Sequence, residues 1–282
     1  MPKSALSGRR RQRHDSMESD NFTGERPGWG EDFDYDEARH LAAYIHAATL
    51  AEGLRVLDAG CGEGFGTQTL TDSAREVTGV DYSAQAIEFS RKRWDRSNLS
   101  FRRVDLTAPG DFDEQFDLVL NFQVVEHIDD PTPFLEGLRD RVAPGGRLML
   151  TTPNRLKTFS ENPYHVREYT REELSELLGR VFSEVEIHGM HGNAKVTAFD
   201  AGREKAVNRI LRLDPLGLRN LLPRAVIEAA FAKLAVLVRR QARDESGADK
   251  IVPEDFFVSA DNIDEALDLV AVSYTHLRAH ET

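Results

Sequence analysis

Leu54-Arg55-Val56-Leu57-Asp58-Ala59-Gly60-Cys61-Gly62-Glu63-Gly64-Phe65-Gly66 is the stretch on which the fold turns. Its apolar pair Val56-Leu57 runs into an acid, Asp58, and glycines follow at alternate positions, Gly60, Gly62 and Gly64, with Gly66 two further on. An apolar run that stops at glycines reads as a buried strand entering a tight turn. Glycine admits positive φ and lets a ligand approach the backbone closely. Residues 67–74 can form a helix, so the turn stands at a helix N-terminus, where nucleotides bind. The dinucleotide fingerprint is Gly-x-Gly-x-x-Gly. Here the spacing is Asp-x-Gly-x-Gly-x-Gly, and the leading carboxylate repels a pyrophosphate but attracts a cation.

Outward from this turn, acids recur at strand ends. Glu76–Val80 reads as a strand ending in Asp81, about twenty residues past the turn, the spacing of an acid that binds ribose hydroxyls. Ser83 caps a helix over Ala84–Trp94. Leu99–Val104 reads as a third strand, and Asp105 at its end can accept the exocyclic amine of adenine. A fourth strand, Phe116–Leu120, leads into Asn121-Phe122-Gln123-Val124-Val125-Glu126-His127-Ile128. Pro131 opens a helix to about Val142. Ala143-Pro144-Gly145-Gly146 then turns into a fifth strand, Arg147–Thr152. Acids in register at three strand ends lie on the edge where open α/β sheets bind ligands.

Asp58 to Gly64, Asp81, Val125-Glu126-His127 and the Pro-Gly-Gly turn together resemble the class I S-adenosylmethionine-dependent methyltransferases. The resemblance runs from about Arg39 to Val196 and looks closest to the subgroup containing the ubiquinone-biosynthesis O-methyltransferases. It implies an α/β fold: a Rossmann-like, seven-stranded sheet with helices on both faces and an antiparallel final hairpin. It implies S-adenosylmethionine as methyl donor, whose sulfonium and ammonium suit an acid-lined turn. The donor site it implies comprises Arg39, for the donor's carboxylate, with Asp58, Gly60, Cys61, Gly62, Gly64, Asp81, Tyr82, Asp105, Leu106, Asn121 and Phe122. Two other readings are an NAD-dependent oxidoreductase and a non-catalytic S-adenosylmethionine-binding protein. The glycine spacing and the leading acid oppose the first.

Methyl transfer is an in-line displacement in which the protein mainly aligns donor and acceptor. An oxygen acceptor also loses a proton, so a base helps. Glu126 and His127, just past the fourth strand, and His165, in the long loop Thr151–Arg167, are the catalytic candidates. Some similar quinone O-methyltransferases carry Glu-x-x-Glu-His, which holds a divalent cation. Gln123 stands at the first of those positions here, and losing a carboxylate weakens a hard-cation site, so no metal is expected.

At 282 residues with net charge −12, the chain can bury a full core, and its surface does not attract nucleic acid. The single cysteine, Cys61, leaves no internal disulfide. No apolar run reaches ~18 residues and no signal-peptide core is visible, so a cytoplasmic protein is expected. Residues 1–20, with Arg9-Arg10-Arg11, read as a disordered tail, and Met17 is an alternative start. Residues 21–200 read as the methyltransferase domain. Within it Glu37–Leu50 is a helix lying over the cofactor, Thr170 and Glu173 form a capping box, and Val181–Ile187 and Ala194–Phe199 are the closing hairpin. Residues 201–271 read as a helical C-terminal extension. Its apolar stretch 221–240 reads as a lid helix, with peripheral membrane or lipid contact the minority reading. Glu254–Val258 reads as a short strand and Ile263–Val270 as a short helix. Residues 272–282 resemble a translated sequencing adapter and are expected to be a non-native tail. The apolar C-terminal stretches favour a partly hydrophobic small-molecule substrate.

Overall fold

The strand read first, β1 (Arg55–Ala59), lies among neighbours that bury it on both faces. The computed structural model describes residues 34–107, 112–158, 162–211, 238 and 250–275. α1 (Asp34–Leu50) precedes β1, and a 3-10 turn, Thr67–Asp72, follows its glycine loop. Next come β2 (Glu76–Asp81), α2 (Ala84–Arg93), β3 (Leu99–Arg103), β4 (Phe116–Phe122), α3 (Pro131–Asp140) and β5 (Val142–Pro153). The remaining elements are α4 (Arg171–Gly179), β6 (Glu184–Gly192), α5 (Ala194–Leu211), β7 (Phe256–Ser259) and β8 (Asp268–Tyr274).

These strands form one sheet in the order β3-β2-β1-β4-β5-β8-β6-β7. The first five are parallel. β8 is antiparallel to both β5 and β6, and β7 is antiparallel to β6. Strand order reverses between β1 and β4, which opens a crevice at their carboxyl ends. Alternate side chains point to opposite faces. Val56, Leu118, Leu120 and Met149 join one core with Ala38, Ala43 and Ala47 of α1. Leu57, Val119, Leu148 and Leu150 join the other with Leu135 and Leu138 of α3 and Leu174 and Leu178 of α4. The α4 capping box is present: Glu173 N–H donates to the Thr170 hydroxyl, and Thr170 N–H donates to the Glu173 carboxylate.

The closing part of the sheet departs from expectation. β6 runs to Gly192, straight through the residues that would link the two expected hairpin strands, and Ala194–Phe199, expected to be the second of them, is the start of α5. Asn193 Oδ1 accepts the N–H groups of Lys195 and Val196 and nucleates that helix. Val196 and Phe199, three apart, are then buried on one helical face. The strand between β5 and β6 comes instead from Asp268–Tyr274. Within the expected helical extension 201–271, residues 201–211 continue α5, whereas Phe256–Ser259 and 268–271 belong to the sheet as β7 and part of β8, so among the described residues the sheet has eight strands rather than seven. Ile263–Val270 holds only a 3-10 turn, Ile263–Glu265, before β8 begins. Every residue of β8 is buried, and a short apolar run buried on both faces does not distinguish strand from helix by periodicity. The sheet also continues through Val272, Ser273 and Tyr274, past the boundary expected at 272. The expectations for residues 1–20 and 276–282, and for 221–240 apart from Val238, fall outside the described residues. Among the described residues no helix is long and apolar enough to cross a membrane.

Candidate active site

At the carboxyl end of β1 the glycine loop folds as its spacing requires, with φ of +92°, +53° and +75° at Gly60, Gly62 and Gly64. Gly60 and Cys61 N–H both donate to the Val80 carbonyl, which docks the loop on β2. A Cβ on Gly60 would lie 2.5 Å from Val124 Cγ2, whereas one on Gly62 would meet nothing within 4 Å. The loop is thus packed below and open above Gly62.

Asp81, at the end of β2, is buried and accepts Gly62 N–H at 2.9 Å and Ser83 N–H at 2.8 Å, one through each oxygen. A carboxylate offers about four lone-pair directions, so this acid braces the loop and retains acceptor capacity. Beside it Tyr82 is 66 % exposed. Asn121 is buried and its Nδ2 donates to the Ala59 carbonyl at 2.7 Å. Phe122 meets the Tyr44 ring edge-on at 4.9 Å. Asp105 is exposed at the rim, one oxygen accepting from Thr107 N–H and hydroxyl, and Leu106 beside it is half-buried. Cys61 packs with Ile87 and Phe101.

Two expected donor contacts take a different form. Asp58 is 1 % exposed, and its carboxylate accepts the Thr67 hydroxyl at 2.6 Å and the Tyr44 hydroxyl at 3.1 Å. Burial pushes it up to about 6. It anchors α1 and the 3-10 turn beneath the loop rather than presenting a carboxylate directly to a cation. Arg39 does not stand alone either. Its Nε donates to Asp268 Oδ2 at 2.6 Å, and its Nη2 donates to Asp268 Oδ1 and to the Leu267 carbonyl. Asp268 also accepts Gln123 Nε2 at 3.2 Å. Gln123 has φ +56°, a conformation non-glycine residues seldom adopt, and its Nε2 lies 3.3 Å from the Thr151 hydroxyl as well. Tyr44, Thr67 and Asp268 escaped the sequence reading. Tyr44 and Asp268 belong to no motif, and Asp268 lies 229 positions from Arg39.

The catalytic candidates converge where the turn after β4 meets the loop after β5. His127 Nδ1 is 3.0 Å from the Tyr164 carbonyl, and its ring meets that of His165 edge-on at 5.0 Å. A carbonyl only accepts, so Nδ1 carries the proton and the lone pair of the neutral ring is on Nε2. His165 is pinned differently. Asn162 Oδ1 accepts Tyr164 N–H, which turns Asn162 Nδ2 toward His165 Nε2 at 2.9 Å. His165 Nδ1 then donates to Glu168 at 2.6 Å. Both nitrogens of His165 are thus engaged within its own loop. Glu126 is buried, its Oε2 accepting the Thr152 hydroxyl at 3.0 Å while Oε1 has no partner. Burial pushes it up to about 8, which favours the protonated form at neutral pH. Its backbone carbonyl accepts Val166 and Arg167 N–H, stitching the loop down. Among the described residues, Glu126, His127 and His165 each bring one ligand atom within 4.8 Å of the others.

The Glu126 shift has a measurable consequence. A carboxyl raised in the folded state stabilises fully below its ordinary value, 4.5, and that contribution is lost as pH rises through about 8. Glu126→Gln, which keeps the shape without the titration, is expected to flatten the alkaline fall in stability. The gain over the parent between pH 6 and 9 is about 3 kcal/mol, read by denaturant unfolding at each pH. Equal slopes for the two proteins would contradict a protonated Glu126.

The residues on this edge match a family. A family model described as a methyltransferase domain covers residues 50–205. A Mycolicibacterium smegmatis protein named "Probable S-adenosylmethionine-dependent methyltransferase" is 33 % identical over 263 residues, spanning 89 % of this chain and 94 % of its own. The chain belongs to the S-adenosylmethionine-dependent methyltransferases.

The methyltransferase is also 38 % identical over 120 residues to a ubiquinone biosynthesis O-methyltransferase of Chelativorans sp., covering 42 % of this chain and 47 % of that one. A solved S-adenosylmethionine-dependent methyltransferase of Thermotoga maritima shares the fold at 16 % identity, with a TM-score of 0.53 over 86 % of this chain and 92 % of that one. S-adenosylmethionine is the methyl donor. The methyltransferase's own residues fit that group: open space lies beside Gly62, with a buried acid, Asp81, at the neighbouring strand end.

Proposed function

We propose that the methyltransferase methylates an oxygen of a partly hydrophobic small molecule, with His127 as the base that takes the hydroxyl proton. The observation that carries this is the Nδ1 bond of His127 to the Tyr164 carbonyl, which assigns the ring's basic lone pair to Nε2. When bound, S-adenosylmethionine supplies an electrophilic methyl group. The acceptor oxygen forms the new bond to that carbon, the carbon–sulfur bond breaks, and the hydroxyl proton passes to Nε2. Asp81, the glycine loop, Tyr82, Asn121 and Phe122 hold the nucleoside end. Asp105 and Leu106 form the adenine rim, with Asp58 and Cys61 supporting the loop from below. Glu126 and His165 hold the loop that carries Tyr164. Leu156 and Val166, 54 % and 50 % exposed on that loop, support an apolar acceptor. The test is incubation with methyl-labelled donor and a native metabolite extract, followed by mass spectrometry. A labelled nitrogen or carbon in place of oxygen would overturn the assignment.

The same reading holds that no metal is required. Gln123 replaces a carboxylate, and Asn162 and Glu168 engage both nitrogens of His165. Exhaustive chelation is expected to leave turnover unchanged. Loss of activity restored by added zinc would instead assign a cation to Glu126, His127 and His165.

A further inference from the structure

We propose that Asp268, on the last strand of the sheet, is a positioning residue for the donor's amino-acid end, acting through Arg39. The proposal rests on the donor site assigned above. Asp268 takes the Nε and Nη2 edge of the guanidinium with both oxygens, and Leu267 takes Nη2 with its carbonyl. Two-point pairing fixes the plane of a guanidinium as well as its position. The remaining nitrogen, Nη1, has no hydrogen-bond partner among the described residues. The pair is unequal in exposure, 21 % for the Arg39 side chain and 5 % for Asp268, so the cation faces outward and the anion lies behind it.

Placement gives that outward edge its ligand. Tyr44, five residues beyond Arg39 on α1, touches Asp58 below the glycine loop and Phe122 at the end of β4. At 1.5 Å per residue Arg39 stands about 7.5 Å further along the helix. Gln123, immediately after β4, shares the Asp268 carboxylate. The ribose acid Asp81 ends β2, two strands from β4, or about 10 Å across the sheet. A nucleoside held at Asp81 with its tail crossing the loop therefore brings an α-carboxylate toward Arg39. Gln123 adds a second sign of function, since residues held in sparsely populated backbone conformations cluster at ligand sites. A simple tether between α1 and β8 would need neither the fixed guanidinium plane nor that strained third partner. Because Asp268 follows the long excursion after β6, the donor site is complete only once the final strand is in place.

The test compares S-adenosylhomocysteine with 5′-methylthioadenosine, which share the nucleoside and differ in the amino-acid tail, by calorimetry on the full chain. Asp268→Asn is expected to weaken S-adenosylhomocysteine about tenfold and leave methylthioadenosine within twofold. Arg39→Gln should cost at least as much, and combining the two should add nothing further. A lone buried charge can prevent folding, whereas replacing both partners is tolerated. The paired variant Arg39→Met with Asp268→Leu is therefore included, and it should bind methylthioadenosine normally with its preference for the longer ligand gone. Equal weakening of both ligands in Asp268→Asn, or no change in either, overturns the proposal. A parent protein that binds neither ligand overturns the donor site itself, a separable result.

Discussion

Asp81→Ala is expected to weaken S-adenosylmethionine binding about 100-fold, measured by calorimetry on folded protein. The size follows from two losses. A carboxylate with acceptor capacity toward the ribose disappears, and hydrogen bonds to a charged group are worth roughly 1.5–3 kcal/mol each. The Gly62 and Ser83 N–H groups also lose their acceptor, so the open face of the glycine loop is no longer braced against β2. Asp81→Asn should fall between, because its single carbonyl oxygen serves at most part of that set. Undiminished affinity in Asp81→Ala, with unfolding unchanged, would remove this edge as the donor site.

His127→Asn is expected to lower kcat on an oxygen acceptor about 10²–10³-fold, in the range of a lost general base, with donor affinity within twofold. Asparagine retains an N–H that can reach the Tyr164 carbonyl and has no basic nitrogen, so the variant separates proton transfer from holding the loop. Single-turnover kinetics isolates the chemical step. If turnover persists at the parent rate, the acceptor reaches the site already ionised or another group takes its proton. His165 is a poor substitute, since Asn162 and Glu168 engage both of its nitrogens.

Much of the carboxyl edge of the parallel strands was legible because its signals are local. Glycines at alternate positions permit the positive φ that Gly60, Gly62 and Gly64 adopt, and an apolar run ending in an acid marks both a strand and its carboxyl end. The same locality misled at Ala194–Phe199, where Val196 and Thr197 favour a strand but the Asn193 cap and buried Val196 and Phe199 make a helix. Nor does local pattern carry the protonation of Glu126, which burial raises because an apolar surrounding disfavours the charged carboxylate.

Read alone, the residues were enough for the parallel half of the sheet, the glycine loop, the acid that ends β2 and the family of the reaction. Each of these depends on backbone conformations and spacings set within about thirty residues, the length of one strand–helix–strand unit. Three features came from the three-dimensional packing: residues 268–274 complete the sheet between β5 and β6, Asp268 grips Arg39, and Tyr44 and Thr67 hold Asp58 under the loop. Those pairings join segments far apart in the chain, and their protonation and orientation follow from burial, which no local pattern encodes.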